Sequence, residues 1–165
     1  MDANLRTPTL RIPLTFRDLQ AADITPDHLG WSGGTAHLAA LTSALERAWA
    51  GEVDLLVGEL ATGQLIACGA VNHAKTPSEL WMLSVDPRWQ SLGVGTALIA
   101  ALEGCVRDRG LDRAGLGVEW DNPRAHALYR RLGYVDAGVE LDGWQQDDGT
   151  QYVTLCTKMT KVLTD

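Results

Sequence analysis

The sequence predicts a mixed α/β (α+β) domain in which about four helices flank seven strands. Three observations carry this. Two apolar runs, Val53 to Leu60 and Leu65 to Asn72, are split by Ala61-Thr62-Gly63-Gln64, which reads as an antiparallel hairpin with a glycine turn. The strand-like run Leu80-Trp81-Met82-Leu83-Ser84-Val85 leads through a glycine loop directly into residues with helical apolar spacing. A second strand, loop and helix follows around Asn122.

Taken in order, residues 1–9 are polar and contain Pro8, which predicts a loose lead-in. Leu10, Ile12, Leu14 and Phe16 alternate with Arg11, Pro13, Thr15 and Arg17, the period of a half-buried strand, and the internal proline points to a sheet edge. Ala21 to Leu29 suits a short helix, with Trp31-Ser32-Gly33-Gly34 as a flexible break. From Thr35, Leu38, Leu41, Leu45, Ala48 and Trp49 fall at helical spacing and Gly51 stops the pattern. After the hairpin, Glu79 to Val85 supplies a fourth strand, ended by Pro87, which removes a ladder donor. Leu98, Ile99, Leu102 and Val106 then form the apolar face of a helix from Gly95 to Arg109. Ala114, Leu116, Val118 and Trp120 alternate with Gly115, Gly117 and Glu119 as a fifth strand. Asn122-Pro123 starts another helix, because Asn caps free N–H groups and Pro suits the first turn, and Gly133 ends it. Tyr134 to Val139 and Tyr152 to Met159 complete the strands. A polar, acidic connection joins them, with Asp142-Gly143 and Asp148-Gly149 as turn signals.

A chain of 165 residues fits one domain that buries about two-thirds of its unfolded surface. The formal charge of −7 leaves no basic surface for a nucleic-acid partner and attracts cationic substrates in a general way. No apolar run approaches the roughly 18 residues of a membrane span, and Met1-Asp2-Ala3-Asn4-Leu5-Arg6 does not read as a secretory signal, so no membrane partner and a cytoplasmic location are expected. Cys68, Cys105 and Cys156 are odd in number, far apart and set among apolar residues, which predicts buried thiols. His28, His37, His73 and His126 have no metal-ligand spacing, so no metal is expected. His37 and His73 read as surface or packing groups, with lining of an acceptor pocket as the alternative.

The loop Gln90-Ser91-Leu92-Gly93-Val94-Gly95-Thr96 carries the chemistry. Gly93 and Gly95 lack Cβ and leave successive N–H groups uncovered where a helix begins, and such groups at the positive end of a helix dipole bind anions. A phosphate-bearing cofactor is the functional reading and a bare structural turn the other. The dinucleotide fingerprint fails because Leu98 stands where its third glycine belongs, and the P-loop pattern fails for lack of Gly-Lys-Ser/Thr.

With its surroundings the loop becomes more specific. Val85-Asp86-Pro87 and Gln90-x-x-Gly93-x-Gly95, followed after one helix and one strand by Asn122-Pro123-x-Ala125-x-x-Leu128-Tyr129-x-x-x-Gly133-Tyr134, resembles the GNAT superfamily of acetyl-coenzyme A dependent N-acetyltransferases. The specific match covers roughly residues 79–135. The resemblance implies one GNAT domain over residues 1–165, a mixed, mostly antiparallel sheet with strands four and five splayed, acetyl-CoA as co-substrate and no metal. It implies that the amides of Gln90, Ser91, Leu92, Gly93, Val94, Gly95 and Thr96 cradle the pyrophosphate, with the Thr96 hydroxyl as an extra donor. Backbone groups around Leu83 and Val85 would pair with the pantetheine arm, and the Val85 N–H would face the thioester carbonyl. Asn122 would contact the cofactor, act as a plain helix cap, or both. Tyr129 would be the acid that protonates the departing thiolate, against the alternative of a packing aromatic.

The base is open at this stage. Glu79 stands six residues before Val85, where some family members carry a catalytic glutamate, and strand alternation without a bulge puts Glu79, Trp81, Leu83 and Val85 on one face. Gly117 occupies the strand-five position where other members carry a glutamate, and glycine cannot act as a base. Glu119, two residues on, is the second candidate. Trp31 and Gly33-Gly34 fall in the region that often borders the acceptor in this superfamily. The implied reaction is direct acetyl transfer to a primary amine in a ternary complex, with a small amine or amine-bearing antibiotic as acceptor. A protein N-terminus or lysine is the alternative acceptor, and a non-catalytic acyl-CoA sensor the alternative class. The reading is compatible with a homodimer.

Overall fold

The computed structural model describes residues 11–164, so the lead-in over residues 1–9 and Leu10 lie outside it. The strands are β1 (Leu14–Asp18), β2 (Val53–Leu60), β3 (Leu65–Asn72), β4 (Ser78–Val85), β5 (Arg113–Glu119), β6 (Val135–Gln145) and β7 (Gln151–Val162). The helices are α1 (Pro26–Leu29), α2 (Gly34–Trp49), α3 (Val94–Asp108) and α4 (Pro123–Arg131). One seven-stranded sheet runs in the order β1-β2-β3-β4-β5-β7-β6, and every neighbouring pair is antiparallel except β4 with β5. β2 and β3 are buried on both faces, which is why they read as continuous apolar runs rather than as alternation. One face of the sheet carries α3 and α4 over a core that includes Leu98, Leu102 and Leu116, and the other carries α1 and α2 over Leu29, Leu41 and Val57. A buried polar cluster ties α3 to the end of the chain. The Tyr134 hydroxyl donates to Glu103 at 3.0 Å, and Lys161 donates to the same carboxylate at 2.8 and 3.0 Å.

Several expectations are corrected. The first strand begins at Leu14, after Pro13, so Ile12 packs on the core without joining the ladder. The helix expected over Ala21 to Leu29 is split into a 3-10 turn at Ala21–Asp23 and the single turn of α1. The Asp23 carboxylate folds back to accept the Gln20 N–H at 2.7 Å, and Thr25 caps the new start by accepting the His28 N–H at 3.2 Å. The break expected at Trp31 holds an ordered 3-10 turn, Gly30–Ser32, where the Trp31 indole donates to the His28 carbonyl at 2.8 Å. The acidic connection is largely strand, because Asp142 to Gln145 pair with Gln151 to Thr154 and only the tip turns. Polar residues suit β6 because it is an edge strand with exposed side chains.

The correction with most consequence lies in β4. Ala70 pairs with Trp81 but Cys68 pairs with Ser84, so β4 bulges between them, and Met82 sits at φ 56°. The extra residue flips the alternation. Trp81 and Met82 pack on the α2 face while Leu83 and Val85 pack on the α3 face, so Glu79, in step with Trp81, does not share a face with Val85. The left-handed conformation costs a non-glycine residue roughly 1–2 kcal/mol. Beyond Ser78–Ala114 and Glu79–Gly115, β4 and β5 no longer pair, and the two strands splay.

At the far end of β4 the buried Asp86 carboxylate caps the Pro87–Trp89 turn, accepting the Arg88 N–H at 3.0 Å and the Arg88 guanidinium at 2.7 and 3.1 Å. The Arg88 side-chain hydrogen bonds hold this carboxyl below the usual carboxylate range. A depressed carboxyl stabilises the fold above its unfolded value and loses that contribution as pH falls through its folded value. Asp86→Asn is therefore expected to cost about 1 kcal/mol at neutral pH. In urea titrations the gap to the parent should close as pH drops from about 4 toward 2. A gap constant with pH would remove the carboxylate as its cause.

Candidate active site

The splay opens a cavity of about 790 Å³ between β4 and β5, lined by Glu79 to Ser84, by Gly117 to Glu119, by α4 at Asn122, Ala125 and Tyr129, by α2 and by the β6 residues Asp142 to Trp144. A second cavity of about 530 Å³ lies over the glycine loop, between Val85, Gln90, Ser91, Gly93, Gly95 and Thr96 on one side and Arg124, Leu128 and Arg131 of α4 on the other. The two meet at Asn122 and Ala125, which line both. The motif residues of the two halves of the sequence therefore line two adjoining cavities.

The loop is built for an anion. Gly93 takes φ 87°, open to glycine at little cost, and turns the chain into α3. The first intrahelical bond runs from the Ala97 N–H to the Gly93 carbonyl at 3.1 Å, so the amides of Val94, Gly95 and Thr96 have no acceptor one turn back. Gly95 is different. It is the second residue of α3, with no left-handed φ, and a Cβ built on it would meet only Val85 and Leu128, at 3.8 and 3.9 Å. Packing does not demand glycine there, and its absence of side chain leaves a cradle facing the second cavity. Arg124 donates to the Ser91 hydroxyl, and Arg131 lines the same cavity two turns further along the same face of α4. Positive charge opposite a helix N-terminus suits a phosphate group. The side chains of Leu92 and Val94 instead line an apolar groove against β1, which leaves only their amides for the loop.

Backbone direction sets the edge of β4. The Asp86 N–H donates to the Ile66 carbonyl of β3 at 2.9 Å, so alternation turns the amide groups of Val85 and Leu83 away from β3, into the gap left by β5. The Val85 carbonyl accepts the Gln90 side chain at 3.2 Å, which pins the loop to the strand end. Asn122 caps α4 by accepting the Ala125 N–H at 3.1 Å. Tyr129 lines the large cavity edge-on to Tyr134, with ring centroids 6.3 Å apart, and burial pushes its phenol above the ordinary value, so it holds its proton at neutral pH.

The two carboxylate candidates differ in their surroundings. Glu79 sits where β4 and β5 still pair, and its carboxylate is engaged by the Lys75 ammonium. Glu119 lies at the open end of β5, three residues before Asn122, and accepts the Tyr152 hydroxyl at 3.1 Å. Gly117 lines the same cavity, and a Cβ there would make only an ordinary 3.7 Å contact with Cys156.

The remaining candidates separate clearly. His73 bonds Asp54 at 2.7 Å and Ser78 at 3.0 Å, and His126 bonds Asp136 at 2.8 Å, so both are packing groups. His37 lines a side chamber of about 520 Å³ next to the large cavity, and burial lowers its pKa. Among the described residues no group of three or more His, Cys, Asp or Glu is arranged to hold a metal. Burial pushes the Cys68 thiol up to about 12 and the Cys105 and Cys156 thiols up to about 11, which leaves them protonated and poorly nucleophilic. No helix among the described residues is long and apolar enough to cross a membrane. Arg124, Arg131, Tyr152 and Trp144 were not foreseen. The two arginines, seven apart on α4, carry a helical-face signal, whereas the two aromatics reach the site only through β6–β7 pairing.

The chain thus combines a seven-stranded mixed sheet, a splayed parallel pair with a cleft between its strands, and a glycine loop with its own cavity at a helix N-terminus. The acetyltransferase (GNAT) family model matches residues 24–134, and the chain belongs to that family. A mycothiol acetyltransferase of Clavibacter sepedonicus is 36% identical over 101 residues, 61% of this chain and 33% of that protein. Another, from Salinispora arenicola, is 49% identical over 58 residues, 34% of this chain and 19% of that protein. The matches thus span a third or less of these two relatives. Among solved structures, a spermidine N-acetyltransferase chimera from Vibrio cholerae superposes with a TM-score of 0.71 at 20% identity, covering 91% of this chain and 95% of the other. The Escherichia coli ribosomal-protein-S18-alanine N-acetyltransferase gives 0.66 at 20% identity, covering 92% and 95%. Both structural likenesses concern the fold.

The two loop glycines should respond oppositely to alanine. Gly93→Ala is expected to lower stability, while Gly95→Ala should raise it by about 0.5–1 kcal/mol in thermal or urea unfolding. The gain from added coenzyme A should shrink in Gly95→Ala. An unchanged gain would mean that the cradle at Gly95 is not used by the coenzyme.

Proposed function

We propose that the chain is an N-acetyltransferase that moves the acetyl group of acetyl-CoA directly to a primary amine, with a small amine or amine-bearing antibiotic as acceptor. The observation that carries this is the junction of the two cavities at Asn122 and Ala125, beside the open edge at Val85 and the protonated Tyr129. The loop amides, Arg124 and Arg131 fit the pyrophosphate end, and the free amides of Leu83 and Val85 fit the pantetheine arm as an added strand. Bound acetyl-CoA would supply the activated acetyl group, which the amine attacks without an acyl-enzyme. The protonated thiols, two of them buried and Cys105 half-buried, support that absence of a covalent step.

Each residue then has a defined task. The Val85 N–H is the donor available to a carbonyl oxygen on the free edge. Tyr129 holds a proton for the departing thiolate, and burial keeps that proton in place until the thiolate forms. Glu119 is favoured as proton acceptor, since it stands at the open end of the cleft near Asn122. Glu79 is six positions from Val85, roughly 20 Å of strand, across the bulge and already paired with Lys75. A cationic acceptor fits a cleft with Glu79, Glu119 and Asp142 in its walls, and the name carried by the curated relatives favours a small molecule over a protein.

Thiol release from acetyl-CoA, followed with spermidine, an aminoglycoside, benzylamine and an alanine-initiated peptide, tests the reading. Release that depends on one of the small amines is expected. Tight coenzyme binding with no acceptor-dependent release would instead support a sensor. Tyr129→Phe should lower kcat roughly ten- to a thousandfold with little change in coenzyme affinity, and an unchanged kcat would remove it as the acid. Glu119→Gln should flatten the acidic limb of the kcat/KM profile, whereas Glu79→Gln should leave it in place. The reverse pattern would move the role to Glu79.

A further inference from the structure

We infer that Tyr152 is a positioning residue that holds the Glu119 carboxylate in the cleft through the hydrogen bond from its hydroxyl, so that the β6–β7 hairpin is part of the proton-accepting apparatus. The inference rests on the reading of Glu119 as the proton acceptor.

Glu119 is the last residue of β5 and pairs with Cys156 of β7. β7 continues past the end of β5, and Tyr152 lies four residues earlier on β7, on the same face as Cys156. The Glu119 side chain leans along this extension, and the Tyr152 hydroxyl donates to one carboxylate oxygen at 3.1 Å. One oxygen is fixed, and the other is left for a proton. A glutamate at a strand end otherwise samples several rotamers, and one hydrogen bond from a rigid aromatic selects among them at small entropic cost.

Tyr152 is itself held. Trp144 faces it across the β6–β7 pair, with ring centroids 4.7 Å apart and planes inclined at 44°. Trp144 also lines both the cleft and the side chamber against Ala40 and Ser43 of α2. At the hairpin tip Asp147 accepts the Ala36 N–H at 2.6 Å, in the first turn of α2. The hairpin is thus anchored at its tip and braced at Trp144, and its contact with the candidate base is Tyr152.

Other charged and titratable groups surround Glu119. Cys156 is beside it on β7, Glu140 lies next in register beyond Cys156 on β6 and is paired with Lys158 at 3.0 Å, and Asp142, Glu79, Arg47 and Tyr129 line the same cleft. Arg47 is bonded to Glu52 at 3.0 Å and to Asn72 at 2.9 Å, and Lys75 engages Glu79. Tyr152 is the side-chain donor bonded to Glu119.

The test uses the full chain, acetyl-CoA and the most active amine of the panel above, comparing the parent with Tyr152→Phe, Glu119→Gln and the double variant. Tyr152→Phe keeps the ring against Trp144, so thermal unfolding should be little changed. Loss of the donor should lower kcat by about three- to thirtyfold with little change in KM, because the carboxylate is no longer held toward the cleft. In the Glu119→Gln background the same substitution should have no further effect. If Glu119→Gln leaves the limb in place, or no amine is turned over, the reading of Glu119 fails and the positioning role with it. If Glu119→Gln removes the limb but Tyr152→Phe leaves kcat unchanged, or lowers it as much in the Glu119→Gln background, the positioning role alone is overturned.

Discussion

Most of the site depends on a parallel pairing that stops early. β4 and β5 share two register pairs, Ser78–Ala114 and Glu79–Gly115, and then diverge. A strand with one unpaired edge in the middle of a sheet is costly, because its N–H and C=O groups need partners. The bulge at Met82 changes which groups stand on that edge and which faces the side chains take. Leu83 and Val85 end up packed under α3, with their amides turned to the gap, while Glu79 and Trp81 stay on the α2 side. An edge of this kind is suited to a ligand that pairs as a strand does. The strain at Met82 and the exposed ladder groups are two parts of one arrangement.

The phosphate-like end depends on a different economy of glycine. Gly93 is required by the backbone, since its left-handed φ turns the loop into α3. Gly95 is not required by backbone or neighbours, and the first turn of α3 would be more stable with alanine there. Its retention fits the need for open space beside Val85 and Leu128, at the cavity that also holds Arg124 and Arg131. One glycine shapes the loop and the other empties it. That distinction separates a bare turn, which needs only the first, from a binding loop, which needs both.

The architecture was legible in the sequence where local chemistry and tertiary environment agree. β2 and β3 begin and end where their apolar runs do, and Asn122 caps α4 as its identity demands. The β4 bulge left no trace, because Trp81-Met82-Leu83 is apolar throughout and a phase shift in a uniform run is invisible. The length of the β6–β7 hairpin was hidden for the opposite reason. At an edge strand the composition is set by solvent, so Asp142 to Gln145 read as a loop while their backbone is paired. The candidate base needed knowledge that no spacing contains. Glu79 and Glu119 look equivalent as carboxylates on strands, and only the pairing of β5 with β7 brings Tyr152 to Glu119 and leaves Glu79 to Lys75.

Under the proposed function, the two cleft walls divide the work of coenzyme binding and acceptor choice. The groups proposed for the coenzyme come from β4, the loop and α4, which pack on the α3 core. The opposite wall comes from α2 and the β6–β7 hairpin, which are far apart in sequence and meet through Asp147 and Trp144. α2 presents Ala40, Ser43 and Ala44 to the cleft, so the wall is shallow there and its relief is made by Trp81 and Trp144. A change in the hairpin would alter the volume beside Trp144 and, through Tyr152, the setting of Glu119 in one step. Under the proposed function, acceptor shape and proton acceptance are therefore coupled in the hairpin, while the loop at Gly93 and Gly95 stays constant.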